Sequence, residues 1–136
     1  MGLPGSGKTT LASELVKLIG AAWLNADEIR KKENDWDFSD EGRKRQALRM
    51  YNLSKKYEKN GKIVVADFVC PIPETRELFN PDYIIWVDTI KKGRFEDTNK
   101  LFVPPENYDY RVETQDSKYW SSEIVKKLKL KIIKND

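Results

Sequence analysis

The chain opens on a glycine-rich motif that sharply limits the folds available to it. Residues Gly2–Thr9, here called the phosphate loop, match the pattern G-x-x-x-x-G-K-[ST] at every fixed position. Glycines let the backbone wrap so that its N–H groups point at one phosphate, and the helix that follows adds its positive N-terminal dipole. The alternative is a glycine-rich turn that contains Lys-Thr by chance. The helical pattern directly behind the motif favours a nucleoside triphosphate site instead.

Each polar residue of the phosphate loop has an expected task toward ATP and Mg²⁺. Lys8 is expected to reach the β- and γ-phosphates as a mobile point charge. The Thr9 hydroxyl is a candidate ligand of Mg²⁺. The residues predicted to contact ATP are Gly2, Pro4, Gly5, Ser6, Gly7, Lys8, Thr9 and Thr10.

Apolar runs and helical periodicities alternate along the chain, which predicts one α/β domain over residues 1–136. Its parallel sheet would be covered on both faces, with the ligand crevice at the carboxyl ends of the strands. Thr89–Asn107 has few periodic cues and is expected to be a mobile loop or lid, and Leu130–Ile133 a terminal strand or a tail. The predicted strands are Ala21–Asn25, Lys62–Phe68, Tyr83–Asp88 and Tyr108–Val112. The predicted helices are Lys8–Ile19, a helix and loop over Ile29–Asp37, a helix from the N-cap Ser39 to about Asn60, Glu74–Phe79 and Ser117–Leu128.

The position of the phosphate loop departs from the usual arrangement. Such a loop normally follows a buried strand, and here only Met1 precedes it. We therefore expect a parallel sheet that lacks the strand before the loop and leaves the two neighbouring strands unpaired. An unpaired sheet favours association with another chain, so a homodimer is also predicted.

Composition narrows the chemistry further. The 136 residues include no histidine, so a general base has to be Asp, Glu or, less readily, Lys, and a zinc site built on imidazole is excluded. The single cysteine, Cys70, cannot form an intrachain disulfide, which indicates a reducing cytoplasm. No apolar run approaches the roughly 20 residues of a membrane span. A net charge of +3 suits anionic ligands but is too small to argue for nucleic acid.

Two aspartates lie at the ends of predicted strands, and Asp27, which follows its strand, should face the crevice. Asp27 comes just after Ala21–Asn25 and, without histidine, is the first candidate to accept a proton from an attacking hydroxyl or to orient it. An N-cap for the helix that contains Arg30 is an equally good interpretation of Asp27. Asp67 ends an apolar strand, where a carboxylate is costly unless it is paired. It is therefore either a Mg²⁺ ligand or the partner of a backbone N–H or an arginine.

Basic and aromatic side chains offer contacts for an anionic acceptor. Arg30, Arg43 and Arg49 could clamp anionic groups, although a solvated helix face is the ordinary role of an arginine on so charged a helix. Phe38 and Phe102 lie in loops, where either can stack on a base or anchor a small core. The basic residues of the predicted lid, which could close over the transferred phosphate or form a surface charge run, are Lys91, Lys92 and Arg94.

In their order and spacing these motifs resemble the adenylylsulfate kinases, P-loop kinases that phosphorylate the 3′-hydroxyl of adenosine 5′-phosphosulfate with ATP. The resemblance covers about the first 88 residues. Gly2–Thr10 is similar to the family's loop, and Leu24–Arg30 is similar to its L-D-G-D-N-x-R segment. Asp37–Arg49 resembles G-F-S…D-R-x-E-N-I-R, and Val69–Pro71 resembles I-S-P with Cys70 in place of the serine.

The resemblance implies roles for individual residues. It places Asp27 at the family's catalytic aspartate and Arg30 at a substrate-binding arginine. It also places Phe38 at an adenine-stacking position and Arg43 at a second substrate-binding arginine. Gln46 replaces an asparagine of the family motif and is carried over as a substrate contact.

The second half of the chain departs from the family. Lys91–Pro105 is shorter than the family's lid and differs from it, and Phe102 is the nearest counterpart of the second stacking phenylalanine. Asp67 stands where the family usually has a small or hydroxyl residue. Kinase chemistry therefore carries over better than the choice of acceptor does.

The sequence as a whole predicts a P-loop kinase of the three-layer α/β type. Asp27 and Lys8 are the expected catalytic residues, Thr9 and Asp67 the expected metal ligands, and ATP and a small hydroxyl-bearing substrate the expected partners. Adenosine 5′-phosphosulfate is the first acceptor that the resemblance implies. Two alternatives stay open: a kinase for a nucleoside, a sugar or a nucleic-acid 5′-hydroxyl, and a non-catalytic nucleotide-binding module.

Overall fold

The structure, a computed structural model, describes residues 1–135, with side chains up to residue 129. Helices and strands alternate as predicted, and the α/β class is confirmed. The elements are α1 (Lys8–Ile19), β1 (Ala22–Asn25), α2 (Ala26–Glu33), α3 (Asp40–Lys59), β2 (Val64–Asp67), α4 (Pro73–Phe79), β3 (Ile85–Val87), α5 (Glu96–Leu101), β4 (Tyr110–Val112) and α6 (Ser117–Asn135).

The strands within residues 1–135 form two parallel pairs. β1 pairs with β2, so that Asn25 lies opposite Asp67 at their carboxyl ends, and β3 pairs with β4. Met1 contacts the edge of β3 that faces away from β4. Its amino group donates to the Ile85 carbonyl at 2.8 Å, and its carbonyl accepts from the Val87 N–H at 2.8 Å. Met1 thus connects the start of the phosphate loop to β3 through backbone hydrogen bonds. The described part of the chain has no strand before the loop.

Two apolar clusters hold the helices to these strand pairs. In the first, Leu11 and Leu15 of α1 pack with Val87, Val112 and Ile124. The second joins Leu24 of β1, Ile29 of α2 and Met50 of α3. α1, which follows the phosphate loop directly, packs against α6 and against both strands of the first pair.

Helix ends agree with the predicted capping in most places. The Ser39 side chain accepts a hydrogen bond from the Gly42 N–H and starts α3, as predicted. Gly42 has to be glycine, because a Cβ atom there would collide with the Asp37 carbonyl oxygen. The loop before α3 is therefore drawn tightly against its first turn.

The main differences from the sequence prediction lie after residue 89. The segment expected to be an irregular loop contains the short helix α5. α6 continues to Asn135, so Leu130–Ile133 is part of a helix and is neither a strand nor a tail. Neither helical segment follows from the apolar periodicity of its own residues. Among the described residues, no helix is long and apolar enough to cross a membrane.

Candidate active site

A cleft of about 900 Å³ opens at the carboxyl ends of β1 and β2, where parallel-sheet proteins place their ligands. The phosphate loop forms one end of the cleft. The first turns of α2 and α3 form the other, and residues of the segment after β3 contribute a further wall. The structure therefore brings most of the predicted site residues into one cavity.

The phosphate loop has the conformation that its glycines predict. Gly5 and Gly7 adopt φ values of 87° and 99°, which residues with a Cβ atom rarely adopt. The Nζ atom of Lys8 donates to the Leu3 carbonyl at 3.1 Å. Burial lowers the pKa of Lys8, and the charges of Asp67 and Asp27 oppose that shift. The negative charge of a triphosphate in the loop would favour the protonated form of Lys8, which burial disfavours.

A polar cluster joins the phosphate loop to the carboxyl ends of β1 and β2. The Asp67 carboxylate accepts hydrogen bonds from the Thr9 hydroxyl at 2.8 Å and from the Asn25 amide at 2.9 Å. It is buried, with 5% of its surface exposed. An arginine or a backbone N–H is the partner that the sequence predicts for Asp67 if it binds no metal. In the structure, two other side chains donate to it.

The cluster also fits the predicted metal. Mg²⁺ in phosphate-transfer sites is held by one or two protein oxygens, substrate phosphates and water rather than by a full protein cage. The Thr9 hydroxyl and the Asp67 carboxylate are such oxygens, and both line the cleft. Consistently, no group of three or more Asp, Glu, Cys or His side chains that could hold a metal occurs in the described residues.

Asp27 lies in the first turn of α2 and lines the cleft. The N-cap of this helix is Asn25, whose side-chain oxygen accepts from the Glu28 N–H at 3.0 Å. The interpretation of Asp27 as an N-cap is therefore wrong, because the helix begins before Asp27 does. Its exposed carboxylate remains available to a substrate.

Two arginines and a phenylalanine form the far end of the cleft. Arg30 and Arg43 are buried, with 4% and 8% of their surfaces exposed, so neither lies on a solvated helix face. Arg30 donates to the carbonyls of Asp35 and Asp37, and Arg43 donates to the carbonyl of Phe38. Both guanidinium groups lie over the Phe38 ring, at 4.3 and 5.5 Å from its centroid. Backbone contacts thus fix the two cations while the Phe38 ring, 47% exposed, faces the cleft.

Gln46 and Arg49 support this end of the cleft from behind. The Gln46 amide donates to the Ala26 carbonyl at 3.0 Å and accepts from Arg49 at 2.6 Å. Arg49 also pairs with Asp35 at 2.9 Å. Gln46, predicted to contact substrate, lines the cleft, but its amide nitrogen is bonded to the start of α2 and its amide oxygen to Arg49.

The wall contributed by the second half differs in its details from the prediction. Arg94 and Phe95 line the cleft. Asp97 of α5 acts on Arg43: burial lowers the pKa of that arginine, and the negative charge of Asp97 opposes the shift. Phe102 is not among the lining residues; its ring lies 5.6 Å from the Arg76 guanidinium, and α4 rather than the cleft is its neighbour. The predicted role of Phe102 stays a prediction without a contact to support it.

Sequence reasoning missed several residues of the cleft. Trp36 and Phe95 are half-exposed aromatic side chains on opposite segments, and both line the cavity. In the sequence, each is simply an aromatic residue beside charged residues. This pattern occurs at many surface positions and does not indicate a binding site. Cys70 also lines the cleft; it is 5% exposed, and burial raises the pKa of its thiol.

Comparison with known proteins assigns the chain to a family. The sequence model of the family described as adenylylsulphate kinase matches residues 1–83. The adenylyl-sulfate kinase of Bacillus licheniformis is 36% identical over 83 residues, which are 57% of this chain and 42% of that protein. The probable adenylyl-sulfate kinase of Aeropyrum pernix is 31% identical over 86 residues, or 57% and 45% of the two chains. The match thus spans less than half the length of these curated relatives.

Solved structures extend the likeness in fold over nearly the whole chain. The Mycobacterium tuberculosis APS kinase CysC, solved with AMPPNP and APS, has a TM-score of 0.79 at 20% identity, covering 95% of this chain and 94% of that one. Shikimate kinase from Acinetobacter baumannii, solved with shikimate, has a TM-score of 0.60 at 20% identity, with 93% and 89% covered. The predicted P-loop kinase fold is confirmed. With residues 1–83 matched by its sequence model, the chain belongs to the adenylylsulphate kinase family.

Proposed function

We propose that this protein transfers the γ-phosphate of ATP to the 3′-hydroxyl of adenosine 5′-phosphosulfate. The single observation that carries the proposal is the two-ended cleft. One end holds the phosphate loop with the Thr9–Asp67 pair, and the other holds Arg30 and Arg43 over Phe38. A kinase needs both an anion-binding donor site and an acceptor site within one cavity.

Asp27 stands between these two ends along the chain. It follows Asn25 of the polar cluster by two residues and precedes Arg30 by three, which is about 4.5 Å along the axis of α2. In this position its carboxylate can orient the acceptor hydroxyl and take its proton as the γ-phosphate is attacked in line. Lys8 then stabilises charge on the phosphoryl oxygens.

Mg²⁺, held by Thr9 and Asp67 together with the ATP phosphates, would supply charge neutralisation at the β- and γ-oxygens. Asn25 holds the Asp67 carboxylate in place by a hydrogen bond at 2.9 Å. Because Asn25 also caps α2, the same residue links the position of the metal ligand to the position of Asp27.

The acceptor end suits an aromatic, doubly anionic substrate. Arg30 and Arg43 offer fixed positive charge to a sulfate or phosphate group, and the Phe38 ring offers a face to adenine. APS kinase CysC of M. tuberculosis was solved with both AMPPNP and APS, which is the ligand pair that this cleft would accept. Phe95, which also lines the cleft, is a second aromatic residue that could contact a bound base.

The test is an ADP-release assay with adenosine 5′-phosphosulfate as acceptor, run beside adenosine, a hexose and an oligonucleotide with a free 5′-hydroxyl. We expect release with the first acceptor and little with the others. Asp27→Asn should lower kcat by about 10²- to 10⁴-fold while leaving ATP binding nearly unchanged. Release with another acceptor alone would contradict the proposed substrate. No release with any acceptor, despite a rise in Tm with ATP and Mg²⁺, would make the protein a nucleotide-binding module.

Homodimer formation and a cytoplasmic location stay predictions from the sequence. Light scattering on the purified protein would test the first directly. Dimer formation would be supported by a mass near twice 15.9 kDa and contradicted by a mass near 15.9 kDa.

A further inference from the structure

The phosphate loop is held from outside by two side chains of the second half of the chain. The Thr89 hydroxyl donates to the Ser6 carbonyl at 2.6 Å. The Gln115 amide donates to the Gly5 carbonyl at 3.2 Å and to the Thr89 hydroxyl at 3.4 Å. Thr89 and Gln115 follow β3 and β4, whose carboxyl ends lie side by side.

These contacts act on the backbone groups that point away from the phosphate site. All peptide bonds in the described chain are trans, so each carbonyl points opposite to the N–H of the next residue. Holding the Ser6 carbonyl therefore fixes the direction of the Gly7 N–H. The Ser6 N–H is itself held by the Leu3 carbonyl at 3.2 Å. The turn is thus restrained by its own backbone and by two distant side chains: Thr89, and Gln115, which also lines the cleft.

The glycines of the loop do not keep this shape by themselves. Gly5 and Gly7 are the residues with the most backbone freedom, and their positive φ values have to be maintained by contacts. The Ser6 hydroxyl is buried, with 1% of the residue exposed, and has no hydrogen-bond partner within the described part of the chain. Gln115 also lies close to Gly7. A Cβ atom built at Gly7 would be 3.7 Å from the Gln115 Cγ atom.

We propose that Thr89 and Gln115 are positioning residues that hold the phosphate loop in its nucleotide-binding shape before ATP arrives. The inference rests on the proposed function, since it assumes that the loop binds ATP. Its physical basis is preorganisation: a loop that is already ordered loses less conformational entropy when ligand binds. Neither residue belongs to an apolar cluster, and Gln115 is exposed, so the pair contributes little to core packing.

The test removes the hydrogen bonds while keeping side-chain shape. Thr89→Val and Gln115→Met are compared with Thr114→Val, whose hydroxyl bonds to the Trp120 indole rather than to the loop. ATP binding is measured by calorimetry with Mg²⁺ present, and KM values for ATP and acceptor are measured with kcat. We expect Thr89→Val to weaken ATP binding about tenfold, the effect of one hydrogen bond, and Gln115→Met to weaken it somewhat less. The acceptor KM and the Tm without nucleotide should stay near the wild-type values, and Thr114→Val should bind ATP normally.

Further arms separate this inference from the proposed function. Thr89→Ser keeps the donor and should bind ATP like the wild type even if Thr89→Val fails to fold. The double variant should lose less than the sum of the single losses, because Gln115 also bonds to Thr89. If the wild-type protein binds ATP and turns over, and both folded single variants bind ATP with unchanged affinity, the positioning role is wrong while the proposed function stands. Failure of the wild-type protein to bind ATP would overturn both ideas.

Discussion

Residues 1–83 and residues 84–129 contribute to one cleft in different ways. The family sequence model matches the first region, whereas the likeness in fold to solved structures covers 95% of the chain. The first region supplies the phosphate loop, Asp27, Asp67 and the arginines over Phe38. The second supplies Arg94, Phe95 and the side chains that hold the loop from outside.

The difference shows how two kinds of constraint act on a binding site. Side chains of the first region carry charge at defined atoms, so their chemical identity is restricted. Side chains of the second region close a wall or hold backbone carbonyls, and several residue types can do either. A region can therefore keep its fold after its sequence has lost the family motifs. The predictions below test whether the two regions differ in this way.

Lys8→Ala tests the first region at its centre, the phosphate loop. Removing the cation that faces the triphosphate should lower kcat by about 10²- to 10³-fold. The fold should persist, because the Nζ atom makes only one described hydrogen bond, to Leu3. Turnover and Tm are measured together, with the exposed Lys17→Ala as control. Unchanged turnover in Lys8→Ala would remove the basis of the loop assignment.

Asp67→Asn should weaken Mg²⁺ binding about tenfold or more, because it removes the charged oxygen ligand. The register of β1 and β2 offers a matched second variant, since Asn25 lies directly opposite Asp67. In Asn25→Asp/Asp67→Asn the carboxylate moves across the strand pair, and we expect much of the Mg²⁺ affinity to return. Mg²⁺ titrations of the ATP-induced Tm rise provide the measurement. Equal Mg²⁺ affinity in wild type and Asp67→Asn would place the metal elsewhere.

Phe95→Ala tests the second region. Loss of a stacking face costs about 1–3 kcal/mol per base, so the acceptor KM should rise at least about fivefold while the ATP KM changes little. Phe102→Ala is the matched control, because its ring lies against Arg76 instead of the cleft. The reverse pattern, with the larger acceptor effect in Phe102→Ala, would restore the role that the sequence predicts for Phe102.

The smallest expected effect concerns the pH dependence of stability. Hydrogen bonds from Arg45 and Arg49 hold the pKa of Asp35 well below its usual range. A depressed carboxyl pKa stabilises the fold above the unfolded value of about 4 and loses that contribution as pH falls through the folded value. Asp35→Asn should therefore show a shallower fall of Tm below about pH 4 than the wild type. Glu33→Gln is the control, and parallel curves for Asp35→Asn and wild type would contradict the pairing.

The parts of the fold that were predictable have local causes. The helix at Lys8–Ile19 was predicted with its observed bounds, because its apolar residues recur at helical spacing and Gly20 ends it. The cap at Ser39 follows from one side chain and a nearby N–H. The phosphate loop likewise lies within a few consecutive residues, so its motif is complete in the sequence.

Two assignments could not be made from residue type alone. Phe102 and Phe95 are both aromatic residues of the same segment, and only the packing of α5 decides which one lines the cleft. Asp27 and Asn25 are both good capping residues, and the start of α2 assigns the cap to Asn25.

The sequence by itself determined the phosphate loop, the α/β class and the set of charged residues that can act on ATP. These depend on residue types and short spacings, because backbone wrapping and helix capping involve neighbours along the chain. Only the tertiary structure decided that Arg30 and Arg43 are buried over Phe38 and that Thr89 and Gln115 restrain the loop. Thr89 and Gln115 meet the loop from 83 and 110 residues away, and such contacts exist only once parallel strands have brought their carboxyl ends together.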